Sequence, residues 1–277
     1  MNVLVTGASG YIGQNLIKGL IHTEHNLTAC INKKELAFKV KVLKLDFTEM
    51  LQSSDWLPYL IGIDIVINCV GVIHENKKNS FDVMHTKAPI ALFKACEKIK
   101  VKRVIQVSAL GADDFAIVSY QKSKKQADDY LRSSRLEWFV LRPSLVYGSG
   151  GKSFNFFQQL SKLPIIPLFG NGEQLIQPVN IDVLIKTIKT CLLTKNTNQT
   201  IDVVGEQPIS FKNWMKKLRK NQSKPRFVML PIVLIKFFAQ LLRPLNLQLF
   251  SEDNLTMLQQ NNVGDYLPLK AFLENKA

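Results

Sequence analysis

The chain has 277 residues, of which 46% are hydrophobic and 21% are charged. This length and composition indicate a soluble globular protein with a sizeable core, built as one large domain or as a domain with an appendage. The formal net charge of +14 is high for a metabolic enzyme and points to an anionic partner or a solvated basic face.

The spacing of the cysteines and histidines argues against a disulfide-stabilised scaffold and against a metal-binding protein. No Cys-x-x-Cys pair occurs and most of the cysteines lie in apolar runs, so we expect reduced core thiols rather than a disulfide framework. The histidines have no metal-ligand spacing, and we assign no metal. The residues concerned are Cys30, Cys69, Cys96 and Cys191, and His22, His25, His74 and His85.

Short apolar runs rich in Val, Ile and Leu alternate with helical patterns over the first 150 residues. This alternation is typical of a parallel sheet covered on both faces, so we predict an α/β, Rossmann-type doubly wound domain over 1–150. The expected strands are 2–7, 27–32, 41–46, 64–71, 103–109 and 137–144. A helical stretch follows the first strand at 11–23, and the two clearest helices are 88–99 and 119–134.

The pattern changes after residue 150, where Gly, Pro and Phe surround one helical stretch. The segment 176–205 returns to the α/β pattern and is expected to rejoin the first domain. We predict a smaller C-terminal portion, for substrate or partner binding, built from 151–175 and 206–277.

Three glycines, spaced three apart, fall between the first strand and the first helix. The first permits a tight turn, the second lets backbone approach a pyrophosphate, and the third lets the helix pack near the strand. The N–H groups at the helix start would then point at the phosphates. The predicted cofactor-binding residues of this loop are Gly7, Ser9, Gly10, Tyr11, Ile12 and Gly13.

The end of the second strand predicts which dinucleotide is bound. NAD-binding proteins of this type usually carry an acidic residue there, which accepts hydrogen bonds from the ribose. Here Asn32 is followed by Lys33 and Lys34, whose ammonium groups suit a 2′-phosphate. We therefore expect NADP(H) rather than NAD(H), with Asn32 and Lys33 in the site; solvated lysines would give the same pattern.

Tyr120 and Lys124 lie four residues apart on a predicted helix, so their side chains leave the same face. Such a pair is often only a surface pair, but here it follows the fifth strand of a dinucleotide fold. A nearby ammonium favours the phenolate, and we expect it to lower the pKa of Tyr120. A tyrosine tuned in this way exchanges a proton with a carbonyl or alcohol during hydride transfer. Ser108, at the end of the preceding strand, is the third predicted catalytic residue.

Together these motifs resemble an extended or atypical short-chain dehydrogenase/reductase, of the NAD-dependent epimerase/dehydratase-like kind. The resemblance covers roughly residues 1–205. It is carried by T-G-A-S-G-Y-I-G at 6–13, by Asp46, by N-C-V-G at 68–71, by Y-x-x-x-K at 120–124 and by R-P-S-L-V-Y-G at 142–148.

The resemblance implies further cofactor contacts. Asp46 and Phe47 would lie by the adenine, and Lys124 would hold the nicotinamide ribose. The cofactor cleft would be lined by Cys69, Val70 and Gly71. The nicotinamide would be flanked by Pro143, Ser144 and Val146.

Two positions depart from the family pattern. Ser108 is followed by Ala109, where many extended members have a second serine, and His85 stands where relatives often have asparagine. A narrower resemblance, reaching to about residue 263, is to the subgroup that contains the NADPH-binding accessory subunit of respiratory complex I. It rests on 107–114, 167–183 and 230–263.

The C-terminal portion combines a lysine-rich run at 211–227 with an almost wholly apolar stretch at 230–245. The apolar stretch is too short to span a bilayer. It is either a core helix that closes over the substrate, or a helix on a membrane surface or partner protein, with the lysines attracted to anionic headgroups. No nucleic-acid motif accompanies the lysines, so we expect no nucleic-acid partner. Because Met1 leads directly into a strand, we expect a cytoplasmic protein, free or held peripherally at the inner face of the membrane.

Two functional classes remain open. One is an enzyme that transfers hydride between NADP(H) and a carbonyl or alcohol of an unknown small molecule, with a nucleotide-sugar epimerase or dehydratase as a variant. The other is a non-catalytic NADPH-binding accessory or redox-sensing protein that docks on a membrane complex. The Tyr120–Lys124 pair favours the first class, and the complex-I-like tail favours the second.

Overall fold

The computed structural model describes residues 1–219, 225–230 and 252–274. Elements are numbered in chain order. The main sheet contains β1 (Asn2–Thr6), β2 (Asn26–Ile31), β3 (Lys41–Lys44), β4 (Ile65–Asn68), β5 (Arg103–Val107), β6 (Glu137–Pro143) and β11 (Gln199–Val203). All neighbours in it are parallel, in the order β11-β6-β5-β4-β1-β2-β3. The strand order therefore reverses between β1 and β4, and a crevice at such a point is the usual ligand site of this architecture.

Helices cover both faces of the sheet. One face carries α1 (Tyr11–Leu20), α6 (Ile181–Leu193) and α9 (Tyr266–Glu274). The other carries α2 (Ser53–Leu60), α3 (Ala88–Ile99), which a π-helical turn (Asp82–Lys87) precedes, and α4 (Ser119–Ser133). Strand β1 shows why the strands read as continuous apolar runs: Val3 and Val5 are buried in one core, and Leu4 is buried in the other. The predicted α/β, doubly wound fold is confirmed.

The smaller portion has a core of its own, which contains Phe157, Phe211 and Trp214. The helices described in it are α5 (Lys152–Ser161), α7 (Phe211–Leu218) and α8 (Glu252–Met257). The strands described in it form three two-stranded sheets: β7 (Val146–Tyr147) with β10 (Val179–Asn180), β8 (Ile165–Phe169) with β13 (Arg226–Leu230), and β9 (Leu175–Ile176) with β12 (Ile209–Ser210).

The last helix, α9, differs from its expected place. The sequence assigned 206–277 to the smaller portion, whereas Leu269 and Phe272 of α9 are buried in the large core, with the Phe272 ring 5.8 Å from that of Phe139. The chain thus returns to the sheet after α8, because the apolar side chains of α9 cover the β6–β11 end of it.

Part of the C-terminal prediction cannot be placed on this fold. The apolar stretch predicted over 230–245 lies outside the described residues from 231 onwards, as do residues 220–224 of the lysine-rich run. Within the described parts of the chain, no helix is long and apolar enough to cross a bilayer.

Candidate cofactor and active site

The glycine loop lies between β1 and α1, where the sheet order reverses. Gly7 has φ +66, and a Cβ on it would lie 2.8 Å from the backbone of Cys69. A Cβ on Gly13 would lie 2.3 Å from the Gly7 carbonyl oxygen. Both positions therefore require glycine, because α1 packs directly on the loop and the loop packs directly on the end of β4.

The start of α1 is suited to an anion. Gly10 is the N-cap residue, and no side chain caps the first turn, which begins with Tyr11 and Ile12. The Ser9 carbonyl accepts a hydrogen bond from the Gln14 side chain at 2.9 Å, so the loop is tied to the helix without blocking its N-terminus. Backbone N–H groups without hydrogen-bond acceptors at a helix start commonly bind the pyrophosphate of a dinucleotide, so these residues fit such a cofactor.

The predicted adenosine end lies where β2 and β3 finish. Asn32 and Lys33 are exposed after β2. Partial burial raises the pKa of Asp46, but hydrogen bonds from Thr48 and Asn32 and the charge of Lys33 outweigh it and hold the pKa below its usual value. Asp46 therefore stays ionised beside Asn32 and Lys33. Phe47 is buried instead, with its ring 5.1 Å from that of Trp56.

The end of β4 is held by a buried series of side-chain hydrogen bonds. The Thr6 hydroxyl donates to Asn68 Oδ1 at 2.6 Å, and the Val70 N–H donates to the same oxygen at 3.2 Å. The Asn68 amide donates in turn to Gln106 Oε1 at 2.8 Å. Burial raises the pKa of the Cys69 thiol to about 12, against the opposing charge of Lys124, so this thiol is not a nucleophile at neutral pH.

Lys124 connects α4 to two strand ends. Its Nζ donates to the Val70 carbonyl at 3.0 Å and to the Val107 carbonyl at 3.2 Å, and the residue is buried. Burial lowers its pKa to about 8, although Asp128 and Cys69 act to raise it. The structure therefore places Lys124 beside Val70 and Gly71, and the contact of these residues with a cofactor stays a prediction.

The expected lowering of the Tyr120 pKa is wrong. Burial, and then the charge of Asp128, raise this pKa to about 12. The phenol is packed against uncharged rings, 5.7 Å from Phe81 and 5.3 Å from the neutral His85 imidazole between centroids, while the Lys124 ammonium donates to carbonyls. Tyr120 is therefore a protonated phenol at neutral pH.

His85 links the β4 loop to the tyrosine helix. Its Nε2 accepts from the Val72 N–H at 3.0 Å, and its Nδ1 lies 3.0 Å from Ser123 Oγ, whose own hydroxyl donates to the Tyr120 carbonyl. Burial, reinforced by the charge of Lys124, lowers the pKa of His85 to about 2, so the ring is neutral. The π-helical turn carries His85; such turns are frequent at functional sites.

Ser108 and Asp128 form a buried pair behind Lys124. The Ser108 hydroxyl donates to Asp128 Oδ2, and both residues are buried. Sequence reasoning missed Asp128, yet the signal was present: it lies four residues after Lys124, on the same helical face as Tyr120. The catalytic roles of Tyr120, Lys124 and Ser108 stay predictions.

The segment after β6 closes the same edge of the sheet. The Pro143 carbonyl accepts from the Leu110 N–H at 2.9 Å, and the Ser144 hydroxyl donates to the Gln177 carbonyl. Val146 pairs with Val179 in the β7–β10 sheet. These contacts place the predicted nicotinamide-flanking segment next to the end of β5, with the Ser144 hydroxyl already engaged.

Sequence reasoning also missed a contact from the far end of the chain. The Asp253 carboxylate, on α8, accepts from the Tyr120 backbone N–H at 3.0 Å. A carboxylate is a favourable partner for the open N–H groups at a helix start. The smaller portion thus holds the first turn of the helix that carries Tyr120.

Comparison with known proteins agrees with this geometry. Residues 7–161 match the model of a family described as NAD(P)H-binding. Among solved structures, a UDP-glucuronic acid 4-epimerase from Bacillus cereus in complex with NAD superposes with a TM-score of 0.68 at 20% identity, over 83% of this chain and 87% of that one. This likeness supports the fold.

Curated relatives are distant and of several kinds. A UDP-glucose 4-epimerase of Vibrio cholerae is 24% identical over 272 residues, which cover 87% of this chain and 82% of the relative. A ceramide reductase of Caulobacter vibrioides is 22% identical, over 68% of this chain and 60% of the relative. Subunit 9 of the mitochondrial NADH dehydrogenase [ubiquinone] 1 alpha subcomplex from Arabidopsis thaliana is 25% identical, over 64% of this chain and 46% of the relative.

The glycine loop, the parallel sheet and the family match define a nicotinamide-nucleotide-binding protein of the Rossmann type. The chain belongs to the NAD(P)H-binding family and is of the extended short-chain dehydrogenase/reductase-like kind.

We expect Gly13→Ala to destabilise the protein by about 1–3 kcal/mol and to weaken cofactor binding. The added methyl group would overlap backbone atoms of Gly7 and Ala8, which can shift only if the whole glycine loop shifts. Gly10→Ala is the matched comparison. Its Cβ would lie 3.1 Å from the Gly7 carbonyl oxygen, so it should lose less stability. Urea denaturation and fluorescence titration with NADPH measure both effects, and unchanged stability of Gly13→Ala would contradict the packing described.

Proposed function

We propose that this protein is an NADP(H)-dependent oxidoreductase that reduces a carbonyl group, with Tyr120 as the acid that protonates the oxygen. The observation that carries the proposal is the contact of Lys124 Nζ with the Val70 carbonyl at 3.0 Å, which brings the Tyr120 helix to the cofactor-binding edge of the sheet. Bound NADPH would supply the hydride.

The pKa directions favour reduction over oxidation. Because the pKa of Tyr120 is raised to about 12, its phenol carries a proton throughout the neutral range and can donate it to a developing alkoxide. Lys124, whose pKa is about 8, is largely charged at neutral pH and stabilises negative charge nearby. Alcohol oxidation needs the phenolate, so we expect that direction to gain speed as pH rises.

The loop before α4 favours an apolar carbonyl substrate. Phe115 and Ile117, which lie a few residues before Tyr120, are 89% and 61% exposed. Large exposed apolar side chains beside a site are frequent where an apolar ligand binds. Quinones and long-chain aldehydes or ketones are therefore the first compounds to test.

We expect Tyr120→Phe to lower kcat for NADPH-dependent reduction by about 100- to 10,000-fold, because it removes the proton donor. The dissociation constant of NADPH should change little. Tyr130→Phe is the matched control on the same helix, since the Tyr130 hydroxyl donates to Glu97 instead. NADPH oxidation against a panel of quinones and carbonyls measures kcat, and equal rates for wild type and Tyr120→Phe would exclude the mechanism.

The preference for NADP(H) rests on the charges after β2. Lys33 and Lys34 are exposed there, and no carboxylate stands at the positions that directly follow the strand. Asp46, just after β3, lies close enough to Lys33 to interact with its charge. Lys34 is then the ammonium most available to a 2′-phosphate.

We expect Lys33→Glu with Lys34→Glu to weaken NADPH binding by about tenfold or more, because charge-assisted contacts to the 2′-phosphate are lost. NADH binding should change much less. Lys39→Glu with Lys41→Glu, at two exposed lysines further along the chain, controls for the same change in net charge. Calorimetric titration with both cofactors measures the effect, and tighter binding of NADH by the wild type would refute the assignment.

A nucleotide-sugar epimerase or dehydratase is an alternative that the Vibrio cholerae relative favours. Such a reaction returns the hydride to the sugar, so it consumes no NADPH. Incubation with UDP-glucose, followed by chromatography of the sugar nucleotides, separates this alternative from net reduction.

A non-catalytic accessory protein that binds at a membrane is the other alternative. An exposed surface of the smaller portion favours it. Val228 and Met229 on β13 are 43% and 67% exposed. The neighbouring helix α7 carries Lys216 and Lys217 in its last turn. An apolar patch beside basic residues suits a surface of anionic lipid.

We expect Val228→Asp with Met229→Asp to reduce flotation with vesicles of phosphatidylglycerol and phosphatidylcholine, because apolar insertion is lost and negative charge is added. Leu267→Asp, on α9, is the control at another exposed apolar side chain. Equal flotation of both variants and the wild type would count against membrane attachment through β13.

A further inference from the structure

Asp128 is a carboxylate that the proposed reaction leaves unassigned. It is fully buried on α4, one helical turn after Lys124 and two turns after Tyr120. Its Oδ2 accepts the hydrogen of the Ser108 hydroxyl at the end of β5. A carboxylate buried this completely needs a reason, since its desolvation disfavours the folded, ionised state.

The contact restricts what Ser108 can do chemically. A serine hydroxyl has one hydrogen, and here it is given to Asp128. While Asp128 is ionised, Ser108 can only accept a hydrogen bond from a substrate. When Asp128 takes up a proton from solvent, the carboxyl O–H donates to Ser108 Oγ, and the serine hydrogen becomes free to turn to a substrate oxygen.

Several groups face Asp128 and set its protonation. Lys124 and Arg132 on α4 favour the ionised form, as does the Ser108 hydroxyl, and the Gln106 side chain on β5 acts in the same direction. Burial acts against them and is the largest effect, so the pKa of Asp128 is raised to about 6. Tyr120, on the same helical face, stays protonated at that pH.

We propose that Asp128 is a positioning residue that decides whether Ser108 presents a hydrogen-bond donor or only an acceptor to the substrate oxygen. A carbonyl oxygen can only accept a hydrogen bond, so it needs Ser108 as a donor. An alcohol hydroxyl can donate its hydrogen to Ser108 when the serine is only an acceptor. This role in substrate binding rests on the proposed reductase function, whereas the coupling between Asp128 and Ser108 does not.

The coupling is tested without turnover, by infrared difference spectra of the carboxyl C=O stretch during a pH titration. We expect one band that appears at a higher pH than ordinary carboxyl groups, and Asp128→Asn should remove it. Ser108→Ala should move its midpoint to higher pH, because the hydrogen bond that favours the carboxylate is gone. Asp129→Asn is the matched control: Asp129 is the next residue, its pKa is lowered, and it pairs with Lys125 and Arg132.

Absence of the band in the wild type, or an unchanged midpoint in Ser108→Ala, would overturn the coupling. If Asp128→Asn does not fold, the Ser108→Ala shift still decides, since it leaves the carboxyl group in place.

Turnover tests the consequence for substrate binding, with NADPH and 9,10-phenanthrenequinone as the probe. In the wild type, kcat/KM for reduction should fall as pH rises through the infrared midpoint, and Ser108→Ala should lack that inflection. The same inflection in Ser108→Ala would refute the role of Ser108 and Asp128 in substrate binding. No reduction of any carbonyl, together with the expected infrared shifts, would refute the proposed function and leave the coupling intact.

Discussion

The ammonium of Lys124, buried beneath the edge of the sheet, is the constraint on which the site depends. A buried charge is tolerated only where hydrogen bonds replace the lost water, and here the carbonyls of Val70 and Val107 supply them. These carbonyls follow or end two adjacent strands, so the same contacts that satisfy the charge also fix α4 against β4 and β5. The placement of Tyr120 follows, because it lies one turn before Lys124.

One face of α4 therefore carries three titratable groups in very different surroundings. Tyr120 packs against the rings of Phe81 and neutral His85, Lys124 donates to carbonyls, and Asp128 accepts from a serine hydroxyl. Burial acts on all three, but it raises the pKa of an acid and lowers that of a base. Their pKa values accordingly fall near 12, 8 and 6, which separates a proton donor from two groups that can change charge closer to neutral pH.

The smaller portion contributes to this site through the backbone. Asp253 accepts from the Tyr120 N–H, although 133 residues separate the two in sequence. Neutral His85 joins the loop after β4 to Ser123, on the first turns of the same helix. The first turns of the helix that carries Tyr120 are thus held by contacts from two different parts of the chain.

The parallel sheet, the glycine loop and the shared helical face of Tyr120 and Lys124 could all be predicted from the amino-acid sequence. Each depends on a short-range regularity: apolar strand runs, glycine spacing and the helical repeat. Tertiary structure alone decided the sign of the Tyr120 pKa shift, the partner of Ser108 and the return of α9 to the large core. These depend on which distant groups surround a side chain and on how completely water is excluded, and neither is encoded in local spacing.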